Sequence, residues 1–243
     1  MELKVLGSSS SGNCYILDNG KEALIIEAGI RFMDVKKALD FQIRRVVGCL
    51  ISHQHNDHAK YVKAMVDNGI HTLALPEVWN AKEVSGSKAK SIEMGKGYKF
   101  GNFKVLPFTA CHDVPCVGYI IDHPDTGRIM FLTDSCMCEY TFPGLNHVMI
   151  ECNYSDKKLI ESINAGRTLP SQRNRLMTSH LELSSCKEVL RCHDLSKVMN
   201  VVLIHLSENN GDEPFFVSEI QKQTGKVVYA AKPGLTIELN NVV

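Results

Sequence analysis

An apolar run, Val46-Val47-Gly48-Cys49-Leu50-Ile51, leads directly into Ser52-His53-Gln54-His55-Asn56-Asp57-His58. Three of the chain's ten histidines and an aspartate thus fall within six positions. The run is too short for a buried helix and rich in branched residues, so it reads as an inner strand. On an extended chain His53 and His55, two apart, share one face. Asp57 and His58 come where the chain turns into a helix. Imidazole nitrogen and carboxylate oxygen are the donors that zinc, manganese and iron accept. The bland alternative is a polar loop that happens to be rich in histidine, a weaker reading for so dense a cluster beside an aspartate.

The rest of the chain reads as strands in two sets, each followed by helices. In the first set are strands at Leu3 to Leu6, Cys14 to Leu17 and Ala23 to Ile26, the last two flanking an Asp18-Asn19-Gly20 turn. Residues 31–41 have the apolar spacing of a helix. The second set comprises Phe103 to Phe108, Val117 to Ile121 and Ile129 to Leu132, with a turn at Pro124 to Gly127, and then Val148 to Glu151. A helix follows over Asp156 to Ile163. Ser185-Cys186-Lys187-Glu188 matches a capping box opening a helix to about His193. Val201 to Ile204, Val227 to Ala230 and Leu235 to Leu239 read as strands, and Pro214 to Gln223 as a helix. Two packed sheets with helices outside them, in one domain spanning residues 1–243, satisfy this order.

Composition narrows the partners. The chain has 243 residues, 44% hydrophobic and 22% charged, with a formal net charge of zero. No lysine/arginine run marks a nucleic-acid stripe, although distant residues can still assemble a local basic patch. No signal peptide and no apolar stretch of the roughly 18 residues a membrane span requires is visible, so a cytoplasmic protein without a membrane partner is expected. Nine cysteines, an odd number at irregular spacing with none in a C-x-x-C pair, point to reduced thiols rather than a disulfide framework. They read mainly as small hydrophobes, with a thiolate metal site the minor alternative.

The motif H-x-H-x-D-H after an inner strand resembles the metallo-β-lactamase fold, a four-layer αββα sandwich. Proteins of that fold continue with a histidine, an aspartate and a late histidine, each after a strand. Thr109-Ala110-Cys111-His112, Phe131-Leu132-Thr133-Asp134 and Val202-Leu203-Ile204-His205 are similar in order and context. Ser8-Ser9-Ser10-Ser11-Gly12-Asn13 and His205-Leu206-Ser207-Glu208-Asn209-Asn210 narrow the resemblance to the YycJ/WalJ-like, exonuclease-like branch. No inserted cap domain of the ribonuclease J kind fits in this length. The resemblance implies two divalent ions, zinc or manganese. His53, His55 and His112 would hold one, Asp57, His58 and His205 the other, with Asp134 bridging and a hydroxide shared between them. Asp57 would also steer the nucleophile.

Two positions depart from the pattern. Ser179-His180-Leu181-Glu182-Leu183-Ser184 stands where that branch has a G-H-L-S segment, with serine for glycine and two extra residues before the last serine. His180 would contact a substrate phosphate or protonate the leaving group, or else is a surface histidine between helices. Glu27 stands where the fold usually has aspartate, which shifts its contact with the metal loop. Ser8 to Asn13 is either a flexible turn or a set of amides facing a phosphate. Asn209 and Asn210 either line the pocket or cap the next helix. His71, His123, His147 and His193 match no motif and read as surface or core-edge residues.

A metal-dependent phosphodiesterase acting on DNA or RNA is the leading expectation, with Lys60 or Lys63 as candidate cations at the mouth. A same-fold hydrolase of a small substrate (a nucleotide, thioester or lactam) is the first rival, mildly favoured by zero net charge. The second is a metal-stabilised binding module without turnover, against which Asp57 speaks, since a purely structural site needs no open water position.

Overall fold

The chain enters through an antiparallel pair, β1 (Glu2–Ser9) and β2 (Gly12–Asp18), and a third strand, β3 (Ala23–Ile26). The Asn19 side chain accepts from the amides of Lys21 and Glu22 and so closes the turn between β2 and β3. Next come α1 (Phe32–Ala38), a short 3₁₀ turn (Ile43–Arg45) and β4 (Val46–Leu50). The stretch after the histidine cluster holds α2 (Asn56–Ala59), α3 (Val62–Asp67), β5 (Thr72–Ala74), α4 (Pro76–Lys82), β6 (Ala89–Ser91) and β7 (Tyr98–Phe100). The second half contains β8 (Phe103–Ala110), β9 (Cys116–His123), β10 (Gly127–Leu132) and β11 (His147–Glu151). Then follow α5 (Asp156–Asn164), α6 (Gln172–Ser179), α7 (Leu183–Cys192), β12 (Asn200–Ile204), α8 (Glu213–Thr224), β13 (Val227–Ala230) and β14 (Thr236–Glu238). This computed structural model describes residues 1–241.

The strands form two seven-stranded mixed sheets, β14-β1-β2-β3-β4-β5-β6 and β13-β12-β11-β10-β9-β8-β7. Strand alternation divides the apolar residues between two layers. Ile129 and Phe131 of β10, Met149 of β11 and Val202 and Ile204 of β12 face the first sheet. There they meet Leu3, Tyr15 and Ile25. Met130, Leu132, Val148, Ile150 and Leu203 point the other way, onto Leu190 of α7 and Phe216 and Ile220 of α8. Phe32 and Val35 of α1, Met65 of α3 and Val78 and Trp79 of α4 cover the outside of the first sheet. Strands apolar on both faces must be covered on both, and helix, sheet, sheet, helix follows. Among the described residues no helix is long and apolar enough to cross a membrane.

Several readings of the sequence need correction. The helix expected from a capping box at Ser185 opens three residues earlier, because the Glu182 side chain caps it by accepting from the Ser184 amide. The first residue after His180-Leu181 is that cap. Ser8 to Asn13 is no flexible turn: Ser8 Oγ lies 2.8 Å from Tyr15 Oη and accepts from the His205 amide at 2.9 Å. His123, His147 and His193 are buried, and only His71 lies at the surface.

The topology sets where chemistry can sit. β3, β4 and β5 run parallel, as do β10, β11, β12 and β13, while β8 keeps the direction of β10 across the antiparallel β9. The carboxyl ends of these strands gather along one edge of the sandwich, where the loops are free to carry ligands. Glu27 after β3, Asp134 after β10 and His205 after β12 have left-handed backbone, with φ of 67°, 46° and 53°. Non-glycine residues persist there only when their surroundings impose it.

Candidate metal centre

All seven candidate ligands converge on that edge. His53, His55, Asp57 and His58 come from the first sheet's β4–α2 connection, and His112, Asp134 and His205 from three loops of the second sheet. One group is made of His53 Nε2, His55 Nδ1 and His112 Nε2, with His55 Nδ1 3.1 Å from the first and 3.2 Å from the last. The other is Asp57 Oδ2 with His58 Nε2 and His205 Nε2, each 3.2 Å from it. Asp134 joins the groups, with Oδ2 2.9 Å from His58 Nε2 and a place in a cluster with His53 and His58.

Several outward ring nitrogens are held by neighbours. His112 Nδ1 lies 2.8 Å from the Ser179 carbonyl, which can only accept, so that nitrogen carries a proton and Nε2 is the one turned to the site. His53 Nδ1 is bonded to Ser52 Oγ at 2.9 Å, and His205 Nδ1 to Glu151 Oε1 at 3.1 Å. His58 Nδ1 is the exception: it faces Glu27 Oε1 at 3.6 Å, too far for a hydrogen bond, and has no hydrogen-bond partner among the described residues. Glu27 in turn accepts from the Ser52 amide at 3.2 Å, so the longer carboxylate still braces the metal loop. Metal-bound histidines characteristically have their second nitrogen engaged in this way.

Charge tells the same story. Burial, with the neighbouring His58, holds His53 well below the ordinary histidine range, and burial also lowers His55. His53 Nε2 and His55 Nδ1 face each other at 3.1 Å, and a bound cation would take both lone pairs once neither nitrogen carries a proton. In the other group burial opposes the charge on His58 and His205, yet the carboxylates win. Asp134 and Glu27 push His58 well up, while Asp134, Asp57 and Glu151 raise His205 to about 10. Protons stand there where positive charge is wanted. Burial opposes ionisation of Asp57 too, but bonds from His205 and His58 keep its carboxyl far below the usual range. The donor set is nitrogen and oxygen without thiolate, and it fits two divalent ions such as zinc or manganese.

Some of the site was not readable from the sequence. Glu151, the last residue of β11, is fully buried and accepts from the amides of Ser135 at 3.2 Å and Leu181 at 3.0 Å. Its other oxygen lies 2.7 Å from His180 Nδ1, so one carboxylate orients both His180 and His205. A carboxylate closing an otherwise apolar strand was its only signal. His180 does lie between two helices, α6 and α7, but its ring turns into the site rather than to the surface. Burial works against its protonation, and the Glu151 charge and hydrogen bond, with Asp134, raise it above its ordinary value. Asn13, from the serine-rich hairpin, donates to the Asp57 carbonyl at 3.3 Å. Gly29 lets that loop approach, since a Cβ there would sit 1.8 Å from the same Asp57 oxygen.

A cavity of about 570 Å³ opens over the cluster, and its lining includes Ser10, Arg167, Gln172, Arg175, His180 and Asn209. The expected cations, Lys60 and Lys63, are not among its lining residues; Lys63 instead pairs with Asp67 at 2.7 Å. The arginines come from α6 and the loop before it. Arg175 Nε lies 3.4 Å from Asp113 Oδ2, and the other oxygen of Asp113 is 3.0 Å from His112 Nε2. Asn210 lines the same cavity and accepts from Thr168 Oγ1 at 2.8 Å.

Comparison with known proteins agrees with this architecture. Residues 9–124 match the model of the metallo-beta-lactamase superfamily. The chain is 25% identical to exodeoxyribonuclease WalJ of Streptococcus pneumoniae over 223 residues, covering 85% of this chain and 81% of that protein. With exodeoxyribonuclease YycJ of Bacillus anthracis it shares 23% identity over 243 residues, covering 93% of this chain and 90% of the relative. Among solved structures, the metallo-beta-lactamase fold protein YhfI of Bacillus subtilis superposes with a TM-score of 0.74 at 13% identity, over 97% of this chain and 98% of the other. The short form of human tRNase Z superposes with a TM-score of 0.65 at 13% identity, over 98% and 99%. The chain is thus a metallo-β-lactamase-fold protein, with the superfamily's domain at residues 9–124 and similarity to the WalJ and YycJ exodeoxyribonucleases over most of its length.

Proposed function

We propose that the protein is a metal-dependent hydrolase that cleaves phosphodiester bonds in nucleic acid, in the manner of an exonuclease. The observation that carries the reading is the seven-residue donor cluster opening into a cavity whose other charged lining residues are Arg167 and Arg175. A phosphodiester brings negative charge that cations must meet, and arginine's planar fork suits phosphate. The names of the relatives, exodeoxyribonucleases and a tRNase Z, support a nucleic-acid substrate.

His53, His55 and His112 would hold one divalent ion, and Asp57, His58 and His205 the second, with Asp134 between them. When bound, such ions supply Lewis acidity and lower the pKa of water towards about 7. The chain's own groups do the rest. Asp57 stays ionised and orients the attacking water. Glu151 engages Nδ1 of His180, which leaves Nε2 to protonate the departing oxygen, and the raised pKa keeps that proton available at neutral pH. Arg167 and Arg175 bind the phosphates on either side of the scissile bond.

One observation favours a second reading, a small nucleotide-like substrate: the cavity has the size of a small-molecule site and the net charge is zero. A single experiment separates the two. End-labelled single-stranded DNA, RNA and a cyclic dinucleotide are offered with manganese or zinc, at low and physiological salt. Cleavage of the strands, lost in Asp134→Ala, is expected. Arg167→Ala and Arg175→Ala should each flatten the log–log salt dependence of strand binding by about 0.7. Cleavage of only the cyclic dinucleotide would favour the second reading. Strand cleavage that survives in Asp134→Ala, or lactam hydrolysis without any phosphodiesterase activity, would defeat the first.

A further inference from the structure

We propose that Cys111 and Cys136 form a paired-thiol modification site that reacts with low-molecular-weight disulfides and closes to an intramolecular disulfide. The two sulfur atoms lie 3.0 Å apart, with Cys136 Sγ donating to Cys111 Sγ. Cys111 stands between β8 and His112, and Cys136 lies two residues after Asp134. β8 and β10 are not neighbours in their sheet, because β9 separates them, so the two loops meet beyond its end.

Their main chains are already fastened together. The Cys136 amide donates to the Cys111 carbonyl at 2.9 Å, and the Cys111 amide donates to Ser135 Oγ at 2.9 Å. Ser135 Oγ donates onward to the Met137 carbonyl at 2.6 Å. Little conformational freedom remains to be lost when the sulfurs join. From 3.0 Å they need to approach by about 1 Å to reach a bond of ~2.05 Å.

Access is asymmetric. Cys111 is exposed and Cys136 partly buried. Cys111 therefore meets the oxidant first, with Cys136 Sγ in place 3.0 Å behind it. In the first step Cys111 loses its proton to solvent and its Sγ attacks one sulfur of R–S–S–R, forming a mixed disulfide and expelling RS⁻, which takes up a proton from solvent. In the second, Cys136 loses its proton to solvent and attacks Cys111 Sγ, expelling the second RS⁻. Two protein thiols are oxidised and one small disulfide is reduced to two thiols. No other cysteines offer this combination. Cys14, Cys49, Cys116, Cys152 and Cys186 are buried from any oxidant, while Cys138 and Cys192 direct their sulfurs at Tyr140 O and Glu188 Oε1.

The inference does not depend on the reaction catalysed. Because the cross-link pulls on the loops that carry His112 and Asp134, we expect the oxidised form to bind metal about tenfold more weakly.

The test treats the metal-free protein with oxidised glutathione and maps its peptides by mass spectrometry. A Cys111–Cys136 link, two hydrogens lighter and reversed by dithiothreitol, is expected. Cys136→Ser should stall as a glutathione adduct on Cys111, and Cys111→Ser should gain neither link nor adduct at Cys136. Circular dichroism confirms that both variants fold. Manganese titration of oxidised and reduced wild type then reads the affinity change. Links between other cysteines, a wild-type adduct that never closes, or no reaction at Cys111 would overturn the proposal.

Discussion

Glu151→Gln tests the organisation of the site while leaving its shape intact. The wild-type carboxylate accepts four bonds, two per oxygen: the amides of Ser135 and Leu181 on Oε2, and the rings of His180 and His205 on Oε1. An amide has one acceptor oxygen, so its NH₂ must face one of these pairs. Turned to the backbone, it leaves two buried N–H groups unpaired, at about 1–3 kcal/mol each. Turned to the rings, it forces His205 to carry its proton on Nε2, where the lone pair for a metal should be. In the first case roughly 2 kcal/mol is lost at the least, which lowers Tm by about 4 °C or more in a chain of this size. In the second, metal affinity drops by about 10–100-fold. His180, with the Glu151 charge removed and only that of Asp134 left beside it, titrates at lower pH. If it is the general acid, the alkaline limb of the rate profile moves down with it. Calorimetric melting of the metal-free protein, manganese titration and a pH–rate profile together read these outcomes. A variant that melts, binds metal and titrates like the wild type would refute the reasoning.

Other expectations follow from the same contacts. His53→Ala should lose metal and melt earlier, whereas His180→Ala should keep both metal and Tm while turnover slows by about 10²–10⁴; metal loss in the latter would remove it from the acid role. Because His58 and His205 are protonated in the metal-free protein, ion binding at pH 7 should release about two protons per chain, read by calorimetry in buffers of different ionisation enthalpy; zero release would contradict the charge assignment. The raised pKa of His205 stabilises the metal-free fold below its ordinary value near 6.5, and that contribution is lost as pH rises through about 10, so urea midpoints of the metal-free protein should fall over that window. Gly29→Ala places a Cβ against the Asp57 and Asn13 main chains and should cost about 1–3 kcal/mol; an unchanged urea midpoint would show that the loops yield freely.

The legible parts of the molecule were those written locally. Branched apolar runs gave the inner strands, and His53 to His58 gave the candidate ligand loop, because each depends on neighbours in sequence. Beyond the turn into a helix at Asp57 and His58, the elements up to Phe100 were left unread. Helix α3 and strands β5 to β7 are short, and they hold their form by packing on the sheets rather than by propensity. The capping box at Ser185 was a local match overruled by Glu182. Glu151, Arg167 and Arg175 were invisible for a different reason: a lone carboxylate or arginine acquires a role only when the fold brings a partner from far along the chain. The histidines read only as surface or core-edge residues, His123, His147 and His193, show the same limit from the opposite side: all three are buried.

The candidate ligands come from both sheets of the sandwich, four from the first and three from the second. Ions seated there would work as rivets between the two halves, and their supply would govern more than chemistry. At a hundredfold excess over Kd, one bound ion adds about 2.7 kcal/mol to the folded state. In a cell short of the metal, that increment disappears and the loops at the rim open more often to proteases. Differences of 1–2 kcal/mol change protein abundance several-fold. Metal scarcity would then be felt first as a shorter lifetime of the chain, before any remaining molecule was slowed.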